Sequence, residues 1–266
     1  MVDILKRNNV RITGKGNKVI VFAHGFGCDQ NVWRNVMKSF EADYKLVLFD
    51  FVGCGQSDLT AYTSERYSTL DGYAKDIIEV LNDLKIRDVI FVGHSVASMI
   101  VLKAAIHQPE LFSKLIFVAP SPCYINKAGY NGGMEKDDLE ALLTMMDNNY
   151  LGWSSSLAPQ VMGNSDRPEL GEELTANFCA TDPDIARAFG RVTFLSDNRE
   201  DLPKLTVPSL TLQCTDDILA PLGIGEYIHK HTPNNTLVVL KATGHCPHLS
   251  EPDETSQAIL NYICLN

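Results

Sequence analysis

The chain has 266 residues, 45% apolar and 21% charged, with a formal charge of −10 at neutral pH. That length builds a large core without metal or disulfide staples, the balance argues against disorder, and no uninterrupted apolar run is long enough for a membrane span. The acidic excess, with no basic cluster to displace phosphate counterions, argues against nucleic acid or an anionic membrane as partner. Seven cysteines (Cys28, Cys54, Cys123, Cys179, Cys214, Cys246 and Cys264) show no C-x-x-C spacing, which favours neither a disulfide framework nor a zinc site. The N-terminal stretch Met1 to Asn9 carries no signal-peptide pattern, so the expected location is cytoplasmic.

Along the chain, Asn9 to Thr13 and a strand from Lys18 are separated by Gly14-Lys15-Gly16-Asn17, which predicts an antiparallel hairpin at one sheet edge. Runs rich in Val, Ile, Leu and Phe follow at Lys18 to Ala23, Tyr44 to Asp50, Val89 to Gly93, Leu115 to Ala119, Ser209 to Cys214 and Leu237 to Leu240, and read as buried parallel strands. Between them, Tyr73 to Leu84 places Ile77, Val80, Leu81 and Leu84 at helical spacing, and Met99 to Ala105 continues as a helix after Ser95. This alternation predicts an α/β fold with a doubly wound, mostly parallel sheet.

The rhythm breaks between Ser121 and Ser196. Glu135 to Asn148 carries Leu139, Leu142, Leu143 and Met146 on one face, and Tyr150 to Val161 carries Trp153, Leu157 and Val161. Pro168 and Pro183 each sit at a first helical position, the latter after Asp182 as N-cap. The expected organisation is a core of residues 1–120 and 197–266 with a four-helix lid, 121–196, inserted beyond a strand C-terminus, where open α/β sheets bind ligands.

The chemistry centres on Gly93-His94-Ser95-Val96-Ala97, an apolar strand running into a serine between small residues. It nearly matches the nucleophile elbow G-x-S-x-G, with Ala97 in place of the last glycine; a sharp turn there exposes the hydroxyl at the start of a helix. A serine needs a base and an orienting acid. Asp216 and Asp217 follow the strand at Ser209, and His245 and His248 follow the strand at Leu237. The order Ser, Asp, His, each just past a strand, is the one this elbow type uses. Asp217 is expected as the acid because it stands four residues before Pro221, and His245 as the base because Gly244 precedes it; Asp216 and His248 are expected to cap and pack. Ala23-His24-Gly25-Phe26-Gly27 supplies the oxyanion segment, with the backbone N–H groups of Phe26 and Val96 as donors. His24 and His94 are expected to bond loop backbone. Asp50 to Ser57 lacks phosphate-loop and dinucleotide spacing and reads as a turn.

Taken together, His24 to Trp33, Arg66 to Tyr73, Gly93 to Val96, Ser121 to Asn126, Asp197 to Asp201 and Gly244 to Ser250 resemble RsbQ-like α/β-hydrolases, a group of bacterial stress-response regulators, and more distantly the plant strigolactone and karrikin receptors. The chain departs from the bacterial pattern at His24 and Val96. The resemblance implies the α/β-hydrolase fold, a small hydrophobic ligand, the triad Ser95, Asp217 and His245, no cofactor and no metal. It also implies a pocket lined by Phe26, Tyr124, Leu142, Trp153, Leu157, Phe194 and Leu219, and a PAS-domain serine phosphatase as partner. The expected function is a serine hydrolase of a small hydrophobic ester or lactone, coupled to stress signalling. A ligand receptor or signalling adaptor with slow or single-turnover hydrolysis stays open beside it; the resemblance disfavours a cofactor-free perhydrolase or haloperoxidase using the same residues, and a serine at the elbow argues against aspartate-nucleophile dehalogenases and epoxide hydrolases.

Overall fold

The computed structural model describes residues 3–265; residues 1, 2 and 266, which open the N-terminal stretch and end the expected core segments, lie outside the described residues. Helix α1 (Ile4–Arg7) leads into strand β1 (Arg11–Gly14), followed by β2 (Lys18–Ala23), β3 (Tyr44–Phe49), α2 (Leu70–Asp83), β4 (Val89–His94), α3 (Val96–His107) and β5 (Phe112–Val118). Four helices come next, α4 (Lys136–Asn148), α5 (Tyr150–Met162), α6 (Pro168–Ala180) and α7 (Pro183–Phe194). The chain then returns through β6 (Ser209–Asp216), α8 (Leu222–His231), β7 (Asn235–Thr243), α9 (Pro247–Ser250) and α10 (Pro252–Leu265). Among the described residues no helix is long and apolar enough to cross a membrane.

Among the described residues, seven strands form one sheet in the order β1-β3-β2-β4-β5-β6-β7. All neighbours are parallel except β1, which runs antiparallel to β3. The expected hairpin between β1 and β2 does not form. Both hydrogen-bonding edges of β2 are taken, by β3 and by β4, so β1 can pair only on the far side of β3. Short runs of Val, Ile, Phe and Leu make these strands because both faces are covered: every residue of β4 is buried.

Helix α2 starts at Thr69, whose hydroxyl accepts from the Asp71 N–H, and turns Tyr73, Ile77, Val80 and Leu81 inward. Helix α3 is apolar over most of its surface and packs on β4 and β5 and against α2, while its C-terminal Lys103, Ile106 and His107 reach toward solvent. The stretch without strands holds the four predicted helices. Helix α7 opens at Pro183 behind Asp182, whose carboxylate accepts from the Asp184 and Ile185 N–H groups. The insertion leaves and rejoins the core at one neck, where Cys123 and Asp197 form an antiparallel bridge. It is tied down elsewhere by a bidentate pair, Arg34 to Glu173 at 2.7 Å for both bonds, and by Arg167 donating to the Ser250 carbonyl at 2.8 Å.

Candidate active site

Because β2, β4, β6 and β7 are parallel, the residues that follow them gather along one edge of the sheet. At the end of β4 the chain reverses sharply into α3, and Ser95 takes φ +54° and ψ −122°, a conformation non-glycine residues rarely hold. The elbow is tight. A Cβ on Gly93 would lie 2.8 Å from the Ala97 carbonyl carbon, so the first glycine of the motif is required. The methyl of Ala97, by contrast, is fully enclosed in the core, which accounts for the departure from the second glycine.

Past β7, His245 turns its ring between two partners. Nδ1 lies 2.7 Å from Asp217 Oδ2 and Nε2 lies 2.8 Å from Ser95 Oγ. A carboxylate can only accept, so Nδ1 carries the proton, and Nε2 is left to accept from the serine hydroxyl. The other oxygen of Asp217 accepts from the Leu219 and Ala220 N–H groups at 2.8 and 3.0 Å, which fixes the carboxylate. Asp216 is exposed and offers only its carbonyl, to the Gly244 N–H. His248 is buried below, its ring 4.6 Å from that of Trp33. Cys246, beside the base, stays a thiol: burial raises it well above its usual value.

The oxyanion segment adjoins the serine, since a Cβ on Gly25 would sit 3.3 Å from Ser95 Cβ. Val96 is the first residue of α3, and its N–H is among those a helix leaves without an intrahelical partner. His24 bonds loop backbone: Nδ1–H donates to the Gly25 carbonyl at 2.8 Å, and Nε2 accepts from the Phe51 N–H at 3.1 Å. Burial lowers its pKa and keeps it neutral. Asp50 to Ser57 forms the expected turn, with Asp50 accepting from the Gln56 and Gln30 N–H groups at 2.9 Å.

Of the seven expected pocket residues, Phe26, Tyr124, Trp153, Phe194 and Leu219 are buried. Phe26 centres an aromatic cluster, with Trp153 and Phe194 rings at 6.1 and 6.0 Å, and Tyr124 lies 5.1 Å from Phe194. Burial pushes the Tyr124 phenol up to about 12, while its bond to Ser95 opposes the rise. Leu142 and Leu157 pack at the margin of the hydrophobic core. Half-buried, they line with Trp153 a groove of about 560 Å³ between α4 and α5 that opens to solvent. Sequence reading missed Phe178 and Phe189, whose rings stand 5.6 and 5.8 Å from Phe26. The spacing of Leu174 and Phe178 on α6, and of Ala186 and Phe189 on α7, was the available signal. Among the described residues, no group of three or more His, Cys, Asp or Glu is placed to hold a metal ion.

The profile of the alpha/beta hydrolase family matches residues 20–258. The chain belongs to that family. It is 40% identical over 258 residues to a probable esterase of Oryza sativa subsp. japonica, covering 96% of this chain and 95% of the relative. Identity to a karrikin insensitive 2 receptor of Petunia hybrida is 39% over 257 residues, again 96% of this chain and 95% of the relative. Among solved structures, a hydrolase from Oleispira antarctica superposes with a TM-score of 0.97 at 43% identity, over 99% of this chain and 97% of that one. The plant receptors, expected as the more distant resemblance, are thus alike along nearly the whole chain.

Proposed function

We propose that this hydrolase acts on a small hydrophobic ester or lactone through a triad of Ser95, His245 and Asp217. The observation that carries the reading is the continuous pair of hydrogen bonds from Ser95 through His245 to Asp217, at 2.8 and 2.7 Å. Ser95 Oγ attacks the carbonyl carbon as its proton passes to His245 Nε2, and Asp217 holds the ring in the tautomer that can accept it. The N–H groups of Phe26 and Val96 receive the oxyanion, each such donor being worth about 3–4 kcal/mol of barrier. The imidazolium then protonates the departing alkoxide, which in a lactone stays attached to the acyl chain. Water, deprotonated by His245, frees the acyl group from Ser95.

The buried aromatic cluster supports an apolar acyl or ring group as substrate. Helices α4–α7 serve as the lid, and Trp153 of α5 is shared by the aromatic cluster and the groove at Leu142 and Leu157. If the triad operates, Asp217→Asn lowers turnover of a short ester roughly 10⁴-fold, while Asp216→Asn stays near wild type. The opposite pattern would sink the assignment. Intact-mass analysis after phenylmethanesulfonyl fluoride should find one adduct that Ser95→Ala lacks.

A receptor function is the second reading, favoured by the burial of Ser95 at 5% exposure and by the 39% identity to a protein named as a karrikin insensitive receptor. One product released per protein molecule, followed by negligible turnover, distinguishes it from an enzyme. The finer, RsbQ-like role in stress signalling rests on Gly244 to Ser250 and the other quoted motifs. Failure to co-elute with any PAS-domain serine phosphatase encoded alongside would count against it. Seven unpaired cysteines support a reducing, cytoplasmic setting.

A further inference from the structure

The two hydrogen-bonding groups of the His245 backbone are held by different parts of the molecule. Its N–H donates to the Val161 carbonyl at 2.9 Å, in the last turn of α5. Its carbonyl pairs with His94 Nε2 at 2.8 Å. His94 ends β4, immediately before the elbow. Because its partner is a carbonyl, Nε2 carries the proton and Nδ1 is the bare acceptor nitrogen. That nitrogen is buried without a partner, and it faces the oxyanion segment: a Cβ on Gly25 would lie 2.5 Å from it. On another side the ring packs 4.3 Å from His248, which wedges it from behind and makes no hydrogen bond through either nitrogen.

Burial pushes His94 well below its usual value and His248 down to about 3, so both rings are neutral at neutral pH. His94 therefore brings one donor and no charge next to the base, and does not compete for the proton that Ser95 surrenders. An apolar side chain of similar size would fill the same space without burying an unpaired nitrogen. What such a side chain could not do is grip the His245 carbonyl.

We infer that His94 is a positioning residue for the Ser95–His245 pair: its Nε2–H fixes the main chain of the base while its opposite ring edge abuts the oxyanion segment. This rests on the serine-hydrolase reading. One side chain then sets the spacing of elbow, oxyanion segment and base loop, and it touches no substrate. Since a misplacement of about 1 Å between reacting groups can cost roughly 100-fold in rate, losing the bond lowers kcat and leaves KM nearly unchanged.

The test compares His94→Gln, His94→Asn and His94→Leu on p-nitrophenyl acetate, with thermal melting to establish folding. Glutamine carries an amide nitrogen as many bonds from Cβ as Nε2, whereas asparagine ends one bond short. The Asn and Leu variants should lose about 10- to 100-fold in kcat with KM changed less than about twofold, and Gln should recover most of the loss. Sulfonylation of Ser95 by phenylmethanesulfonyl fluoride should slow in parallel, because it needs the same approach of His245 and no ester binding. Wild-type kcat in a folded Asn or Leu variant overturns the proposal, as does a Gln variant as slow as Leu. If Leu does not fold, the Asn–Gln comparison decides. Retained turnover in Ser95→Ala overturns the underlying reading and this inference with it, whereas retained turnover in His94→Asn overturns this inference alone.

Discussion

At Gly244 the backbone takes φ +79°, and a Cβ built there would meet the Met162 carbonyl oxygen at 1.9 Å. Both facts bear on the next residue, because His245 hangs from the end of α5 through its N–H. Gly244→Ala should therefore cost about 1–3 kcal/mol from the left-handed backbone alone, and lower turnover further by moving the base. Urea denaturation and ester turnover measured on the same protein separate the two losses. The sequence already offered Gly244 as the reason to prefer His245 over His248. It could not offer Met162, which is 82 residues away and arrives only when α5 docks. The choice of Asp217 over Asp216 had similar local support in Pro221, and the fold reinforces it: Asp217 lies at the turn where two N–H groups converge on its carboxylate, while Asp216 still belongs to β6 and points to solvent.

Between elements, the buried ionic contacts have far more to lose than the exposed ones. Arg7 of α1 is 6% exposed and reaches Asp76 and Glu79 of α2 at 3.1 and 2.5 Å, with Arg66 completing the group at 2.6 and 2.8 Å. Burial raises the pKa of Asp76, and the two guanidiniums oppose the rise. Removing one partner leaves buried charge uncompensated, so Arg7→Met should destabilise the fold by about 3 kcal/mol, the low end of the range because Arg66 still pairs with Asp76. Arg34→Ala breaks the largely exposed contact with Glu173 on α6 and should cost no more than about 1 kcal/mol. Denaturant midpoints at equal slope check both; equal losses would contradict the distinction. In the sequence, Arg7 is one of five polar residues in the short stretch Met1 to Asn9, with no periodicity to mark it as buried. Strands and long helices were legible because their apolar spacing is local. Pairing of β1 with β3 was not, since it depends on which edges the other strands leave open.

At the scale of the whole molecule, four of the seven histidines, His24, His94, His245 and His248, are buried around one site. Burial lowers the pKa of three of them: His24, His94 well below its usual value, and His248 to about 3. The unfolded chain binds those protons near the ordinary imidazole value of 6.5, while the folded one holds them off until lower pH. Stability from this source is complete above pH 6.5 and is lost as pH falls from there toward the folded values. At pH 5.5 the His248 ring, held at about 3, should by itself remove roughly 1 kcal/mol relative to pH 8, and His94 and His24 act in the same direction. His248→Phe, which keeps a ring on Trp33 without buried nitrogens, should flatten the acid limb of a stability-versus-pH curve by one proton; an unchanged limb would exclude His248 as a source. The sequence by itself determined the alternating strands and helices, the insertion between β5 and β6, and a serine, an aspartate and a histidine each just past a strand, because these follow from local spacing and chain order. Tertiary structure alone decided that Leu142 and Leu157 face an open groove, that β1 crosses to β3, and that the serine and histidine of Gly93-His94-Ser95 approach His245 from two sides. Those outcomes depend on which distant surfaces meet, and no stretch of sequence contains both sides of such a contact.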